Sequence, residues 1–223
     1  MSITLSIADD IATITLDDGK ANAINPAWLD QFLECFDEAE KGAKAIVIAG
    51  REGVFSGGFN LKWMPTANAE ELGYLLDTAG KLCCRVYGST RPVVAACTGH
   101  AIAMGLFLLL SCDTRIGARG AFRFGANETI NGMNLPVFAQ EMCKARLDPT
   151  KLTLLVTQAY MYGPDEAVAF GALDKLVDPA RVLSTAQEVA AQLAQLPGGA
   201  YHFNKLAMRQ PVIDRILATT NGY

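Results

Sequence analysis

Apolar and polar residues alternate through Ile3, Leu5 and Ile7 and again from Ile11 to Leu16, with Asp9-Asp10 between the two runs. A period of two places alternate side chains on one face of a strand, so the pattern predicts a hairpin. The period then changes. From Pro26 to Glu40, the residues Trp28, Leu29, Phe32, Leu33 and Phe36 recur at helical spacing behind the start signal Asn25-Pro26. The short apolar run Ala45–Ala49, closed by Gly50, reads as a buried strand, and Ala69–Tyr87 reads as a helix. Arg91-Pro92 restarts the chain as the strand Val93–Cys97. Met104–Leu110 is apolar on every face, which predicts a buried helix. Short strands are expected at Asp113–Ile116 and Ala121–Phe124. From Pro149 onward the pattern is helical apart from a strand over Leu173–Val177. Gly171 ends the helix before that strand, and Pro197-Gly198-Gly199 separates two final helices over 182–196 and 199–217. Strand and helix recur too irregularly for a sequence repeat, but the order fits stacked ββα turns.

A chain of 223 residues can bury a substantial core without disulfides or metals. Half of its residues are hydrophobic (51%), which places it among globular proteins with large buried surfaces, where subunit association is unsurprising. A net charge of −4 argues against non-specific binding to nucleic acid or anionic membranes, because both need a positive field. The six cysteines show no CxxC spacing and mostly sit in apolar runs, so they are read as reduced thiols in a cytoplasmic compartment. Neither a secretory signal nor a transit peptide is read at the amino terminus. The run Val93–Cys112 is long and apolar enough to suggest a membrane span. Thr98-Gly99-His100 interrupts it, which favours a buried strand, turn and helix and leaves the span as the minor alternative.

Two segments carry the chemistry. Phe55-Ser56-Gly57-Gly58-Phe59-Asn60-Leu61-Lys62 and Thr98-Gly99-His100-Ala101-Ile102-Ala103-Met104-Gly105 each bring a glycine-permissive backbone to the end of an apolar stretch. Free N–H groups there could grip one oxygen. Together the two segments resemble the halves of the oxyanion hole of the crotonase superfamily, the enoyl-CoA hydratase and isomerase enzymes. The stretch from Tyr162 through Gly171-Ala172-Leu173-Asp174-Lys175-Leu176-Val177 resembles the same family's helix and Gly-Leu-Val-type strand. The resemblance covers nearly the whole chain. It implies an α/β fold, a crotonase-like spiral of repeated ββα units over residues 1–148 with a mainly helical region over 149–223, and a homotrimer or a dimer of trimers.

By that resemblance the oxyanion donors are the main-chain N–H groups of Phe59 and Met104. A donor of this kind typically contributes roughly a hundred- to a thousandfold in rate, and the start of a helix at Met104 adds its positive end. Hydratases of the family use two glutamates. The first position falls here on Phe107, which is no acid, and the second, allowing one inserted residue before Phe124-Gly125, falls on Glu128. Hydration calls for coordinated acid and base work on water and carbon. Moving a double bond from β,γ to α,β needs one base that takes a proton from C2 and returns it at C4. Family members that act as Δ3,Δ2-enoyl-CoA isomerases resemble this one-glutamate arrangement, so the resemblance favours that reaction. An apolar wall including Phe107 would raise the Glu128 carboxyl by desolvation. His100 reads as a structural histidine, and His202 has less to recommend it.

For the coenzyme A portion of the substrate, the resemblance points to Gly58, Phe59, Asn60, Leu61 and Lys62 on one side and the backbone of Ala21 to Ala23 on the other, with Gly105 and Phe107 toward the acyl group. Lys20, Lys205 or Arg209 could meet phosphates from nearby or from another subunit. The sequence holds no P-loop and no Gly-x-Gly-x-x-Gly, so no separate cofactor and no metal is expected. Hydratase activity, another acyl-CoA reaction of the family, a non-catalytic acyl-CoA binder and a scaffold remain the alternatives.

Overall fold

A computed structural model describes residues 3–220. Its first element is the expected hairpin: β1 (Ile3–Ala8) pairs antiparallel with β2 (Ile11–Leu16), Ile3 opposite Leu16 and Ala8 opposite Ile11. Asp9 and Asp10 both take positive φ at the two-residue turn, a conformation that short polar side chains tolerate. Helix α1 (Pro26–Gly42) follows. Asn25 Oδ1 accepts the Trp28 N–H at its start, and Trp28, Phe32 and Phe36 stack in a buried stripe along one face.

Three successive units then share one plan. In the first, β3 (Ala45–Ala49), β4 (Gly53–Ser56) and α2 (Ala69–Tyr87) follow one another. The second is β5 (Val93–Cys97), β6 (Gly99–Ile102) and α3 (Met104–Ser111). The third is β7 (Thr114–Ala118), β8 (Phe124–Gly125) and α4 (Val137–Arg146). The first strand of each unit enters a six-stranded sheet of order β1-β2-β3-β5-β7-β9, parallel except for β1. The second strand enters a separate three-stranded parallel sheet, β4-β6-β8. The chain therefore advances as a spiral of ββα turns.

The large sheet is covered on both faces, which is why β3 and β5 are apolar at every position. Ile46, Ile48, Val93, Ala95 and Cys97 join the main core with α1, α2 and α3. Val47, Val94 and Ala96 meet Val182, Ala186 and Ala190, spaced four residues apart on α6 (Val182–Leu193). Residues beyond 149 thus supply α6 as well as β9 (Lys175–Val177), which pairs with β7.

Several boundaries differ from the expected ones. The strands expected at 113–116 and 121–124 are β7 and the two-residue β8. Helix α4 was not expected. Past Pro149 the chain is less helical than its pattern suggests: a π-helix over Thr153–Thr157 gives way to extended backbone, where Tyr162 bridges Phe124 before α5 (Pro164–Ala169). The last helix, α7 (Gly198–Leu217), packs on α2 and α4. Val93–Cys112 forms β5, β6 and α3: the strand and the helix fall where expected, but the expected turn at Thr98-Gly99-His100 leads at once into a second strand, β6, and among the described residues no helix is long and apolar enough to cross a membrane.

Candidate active site

The two glycine segments meet where β4 and β6 end. Gly58 sits at φ +90, and a Cβ added there would lie 2.8 Å from the Ala103 Cβ, 2.8 Å from the Ile102 oxygen and 3.2 Å from the Met104 nitrogen. A side chain at 58 would push the first loop off the second. Gly105 performs the same service from the other side, since its missing Cβ would lie 2.3 Å from the Ser56 oxygen. The approach brings the Phe59 and Met104 amides into one neighbourhood. Neither N–H donates to any group among the described residues. Buried or half-buried amides are normally paired, so two donors left open in one neighbourhood set this corner apart.

Each loop is fixed by its surroundings. Phe59 bridges Ile24: the Ile24 N–H donates to the Gly58 oxygen at 2.9 Å, and the Asn60 N–H donates to the Ile24 oxygen at 2.8 Å. Buried Asn22, at φ +49, donates from Nδ2 to the oxygens of Leu16 and Phe55, and its own carbonyl accepts the Ser56 hydroxyl. That hydroxyl accepts the Gly58 N–H in turn at 3.2 Å. Ala103 adopts φ +51 and ψ −125, a conformation L residues rarely hold. The strain is sustained because its N–H donates to the Gly125 oxygen and its carbonyl accepts the N–H groups of Leu106 and Phe107. This turn ends β6 and starts α3, leaving Met104 and Gly105 in the first turn of a helix, whose positive end faces the open amides.

The hydrogen bond from Ala103 to Gly125 also ties this corner to the segment carrying Glu128, three residues on. Glu128 is 5% exposed, and its Oε2 is buried with no hydrogen-bond partner. Burial pushes its carboxyl above the usual carboxylate range, against a smaller opposing contribution from its own main-chain N–H. Among the described residues three other carboxylates are as deeply placed, and each has a cation. Asp77 pairs with Lys81, Glu141 with Lys144 and Arg215, and Asp113 with Lys205 and Arg209. Glu128 has none. Phe107, one turn into α3, is fully buried and packs edge-on against Phe138, so an aromatic wall stands where a second acid was lacking in the sequence.

Other expected residues are placed as follows. The Ala21 carbonyl accepts the Gly57 N–H at 2.8 Å, and the Ala23 N–H donates to Asp18, so this strip lies against the first glycine loop. Asn60 Oδ1 accepts the N–H groups of Lys62 and Trp63, holding a tight turn from which Leu61 and Lys62 project as exposed side chains. Lys205 and Arg209 are committed elsewhere, to Asp113, at the amino-terminal ends of β5 and β7. His100 accepts the Arg123 N–H on Nδ1 and meets Phe122 edge-on, a structural arrangement. The residues sequence reasoning missed are Asn22 and Ala103. A single asparagine between alanines in the loop after β2 was the available signal for the first, since asparagine tolerates positive φ; Ala103 gave none.

A family model described as enoyl-CoA hydratase/isomerase matches residues 6–221. The crystal structure of an enoyl-CoA hydratase from Mycobacterium marinum superposes with a TM-score of 0.95 at 38% identity, covering 100% of this chain and 97% of that one. An apo structure of an enoyl-CoA isomerase of Mycobacterium tuberculosis gives a TM-score of 0.94 at 36% identity, covering 99% and 96%. The peroxisomal fatty acid beta-oxidation multifunctional protein of Arabidopsis thaliana is 29% identical over 201 residues, which span 87% of this chain and 28% of that much longer protein. The expected crotonase-like spiral is therefore the fold, and both hydratase and isomerase names occur among the similar proteins.

Proposed function

Because this chain belongs to the enoyl-CoA hydratase/isomerase family, we propose that it is a Δ3,Δ2-enoyl-CoA isomerase in which Glu128 moves a single proton. The thioester oxygen accepts the Phe59 and Met104 N–H groups. Glu128, as carboxylate, removes a proton from C2, the negative charge spreads through a dienolate onto that oxygen, and the protonated Glu128 returns the proton at C4 as the double bond settles between C2 and C3. No water is added, and the enzyme ends as it began. The strip Ala21 to Ala23 and the turn of Gly58, Asn60, Leu61 and Lys62 would hold the coenzyme A portion, with Gly105 and Phe107 beside the acyl group.

The observation that supports isomerisation over hydration is the solitary carboxyl. Among the described residues Glu128 is the buried carboxylate without a cation, and by the family resemblance the Phe107 ring stands where the other glutamate would be. A desolvated carboxylate is a stronger base than an exposed one, which suits a weak carbon acid. The test is incubation with a short trans-3-enoyl-CoA, following ultraviolet absorbance of the conjugated thioester together with product mass. A conjugated product of unchanged mass is expected, with Glu128→Gln lowering kcat by roughly 10²- to 10⁴-fold. Hydration is read separately with trans-2-enoyl-CoA, the conjugated thioester to which water can add: a product heavier by one water there, with trans-3-enoyl-CoA left intact, would mean a hydratase, and both ligands recovered intact would mean a binder.

A further inference from the structure

A cluster of cations lies apart from the glycine loops. Arg146, Lys205 and Arg209 line a cleft of about 620 Å³ between α4 and α7, walled also by Tyr87, Tyr201 and Met208. Lys205 Nζ donates to the Arg91 oxygen, and Asp113 Oδ2 accepts the Val93 N–H, so the cleft sits at the amino-terminal ends of β5 and β7. The open amides lie past the ends of β4 and β6, on the carboxyl-terminal side of β5, whose five residues alone span about 16 Å.

One carboxylate serves these three cations, and it is saturated. Asp113 Oδ1 accepts from Arg209, and Oδ2 accepts from Lys205, the Tyr201 hydroxyl and the Val93 amide. Arg146 spends Nε and Nη2 on the Leu110 and Cys112 carbonyls at the end of α3, and Arg209 spends Nη1 on Asp113 and the Tyr87 carbonyl at the end of α2. Those carbonyls offset part of the charge. Arg146 Nη1 and Arg209 Nε and Nη2 have no partner among the described residues. Both guanidinium groups pack on the one Tyr87 ring, 5.1 and 4.4 Å from its centroid, so they repel each other in a partly desolvated place. Burial first, then Arg209 and Arg115, bring the Arg146 guanidinium down to about 10. An oxyanion between the two arginines would answer both unspent forks.

We propose that this cleft binds a small organic anion, a carboxylate or phosphate group carried on an apolar body. The head group lies between Arg146 and Arg209, and the body lies against Tyr201, Pro197 and Met208, the last of which is 84% exposed. The volume falls in the range of small-molecule sites. Nothing in this site requires turnover at the glycine loops, so its test is independent of the proposed isomerase reaction.

The test is calorimetric titration of the intact protein with octanoate, with inorganic phosphate and with 1-octanol, in wild type and in Asn204→Asp. Asn204 is exposed and lines the cleft, so the substitution adds a negative charge there without unpairing Asp113. Octanoate is expected to bind with a Kd of about 1 mM or tighter, phosphate more weakly and octanol not at all, with Asn204→Asp weakening octanoate by about tenfold or more. Absence of octanoate binding overturns the proposal, as does binding that persists in Asn204→Asp, which would seat octanoate elsewhere. Displacement of octanoate by coenzyme A would assign the cleft to the thioester's nucleotide end. Loss of self-association in Asn204→Asp by sedimentation, without anion binding, would assign the arginines to a carboxylate of a second copy; either result overturns it.

Discussion

Replacing Gly58 by alanine tests whether the close approach of the two loops makes the site. The new methyl would begin 2.8 Å from the Ala103 Cβ and 2.8 Å from the Ile102 oxygen, the first a methyl fixed directly to the main chain and the second a main-chain atom, so neither is a flexible side-chain end. Ordinary contact needs about 3.5–4 Å, so one loop must recede by roughly 0.7–1.2 Å. The donors at Phe59 and Met104 would separate by a similar amount, and a misplacement near 1 Å typically costs on the order of a hundredfold in rate. Loss of one donor outright would cost up to about a thousandfold. The left-handed φ adds a backbone penalty of about 1–2 kcal/mol for any L residue. Gly19→Ala is the control, because Gly19 shares a positive φ of +72 with nothing near its missing Cβ. Thermal unfolding should report a loss in both variants, and kcat on trans-3-enoyl-CoA should fall about 10²- to 10³-fold in Gly58→Ala only. A Gly58→Ala enzyme that loses stability but keeps kcat within a few-fold of wild type would refute the oxyanion reading of these loops.

Two further outcomes follow from the same geometry. Asn22→Ala removes two buried donations that tie the ends of β2 and β4 beneath the first loop and leaves an alanine at φ +49; it should cost about 2–4 kcal/mol in denaturant unfolding, with kcat lowered more than KM raised. As for pH, a base must be deprotonated, so kcat should rise with pH through a value above the ordinary carboxyl range, because burial raises Glu128. Between the ordinary and the raised value the folded state binds more protons than the unfolded state, so the stability linked to Glu128 declines as pH rises across that window. Glu128→Gln lacks this dependence. Its Tm relative to wild type should therefore climb with pH, and a flat difference from acid to neutral pH would contradict the burial argument.

Much of the architecture was legible because periodicity reports burial. The hairpin, α1, β3, α2 and β5 fall where alternation, helical spacing or continuous apolar runs put them. The second sheet was not legible. Its strands are four residues or fewer, Gly53–Ser56, Gly99–Ile102 and Phe124–Gly125, too short for any period to be established, and they contain the glycines that read as turns. Helix α4 presents Phe138, Ala139, Met142 and Cys143 inward, a narrow stripe among polar residues behind Pro136. At the site, Phe59, Met104 and Glu128 came from the family resemblance carried by the glycine segments and Phe124-Gly125, whereas the supports depend on long-range contact that no segment shows. Asn22 reaches Phe55 across 33 residues, and the strain at Ala103 is held by Gly125. Lys205 and Arg209 looked available as charges on a helix; only the fold reveals Asp113 between them.

The claim at the centre is that one shielded carboxyl performs both proton transfers. It is tested most directly with trans-3-enoyl-CoA carrying deuterium at C2, stopped early in turnover, with the product's deuterium located by mass spectrometry or NMR. Because Glu128 is only 5% exposed, the label should appear in part at C4 of the conjugated product, and none should transfer in Glu128→Gln. Conjugated product with C4 hydrogen drawn wholly from solvent at the earliest times, or label transfer that survives Glu128→Gln, would contradict the single-glutamate mechanism.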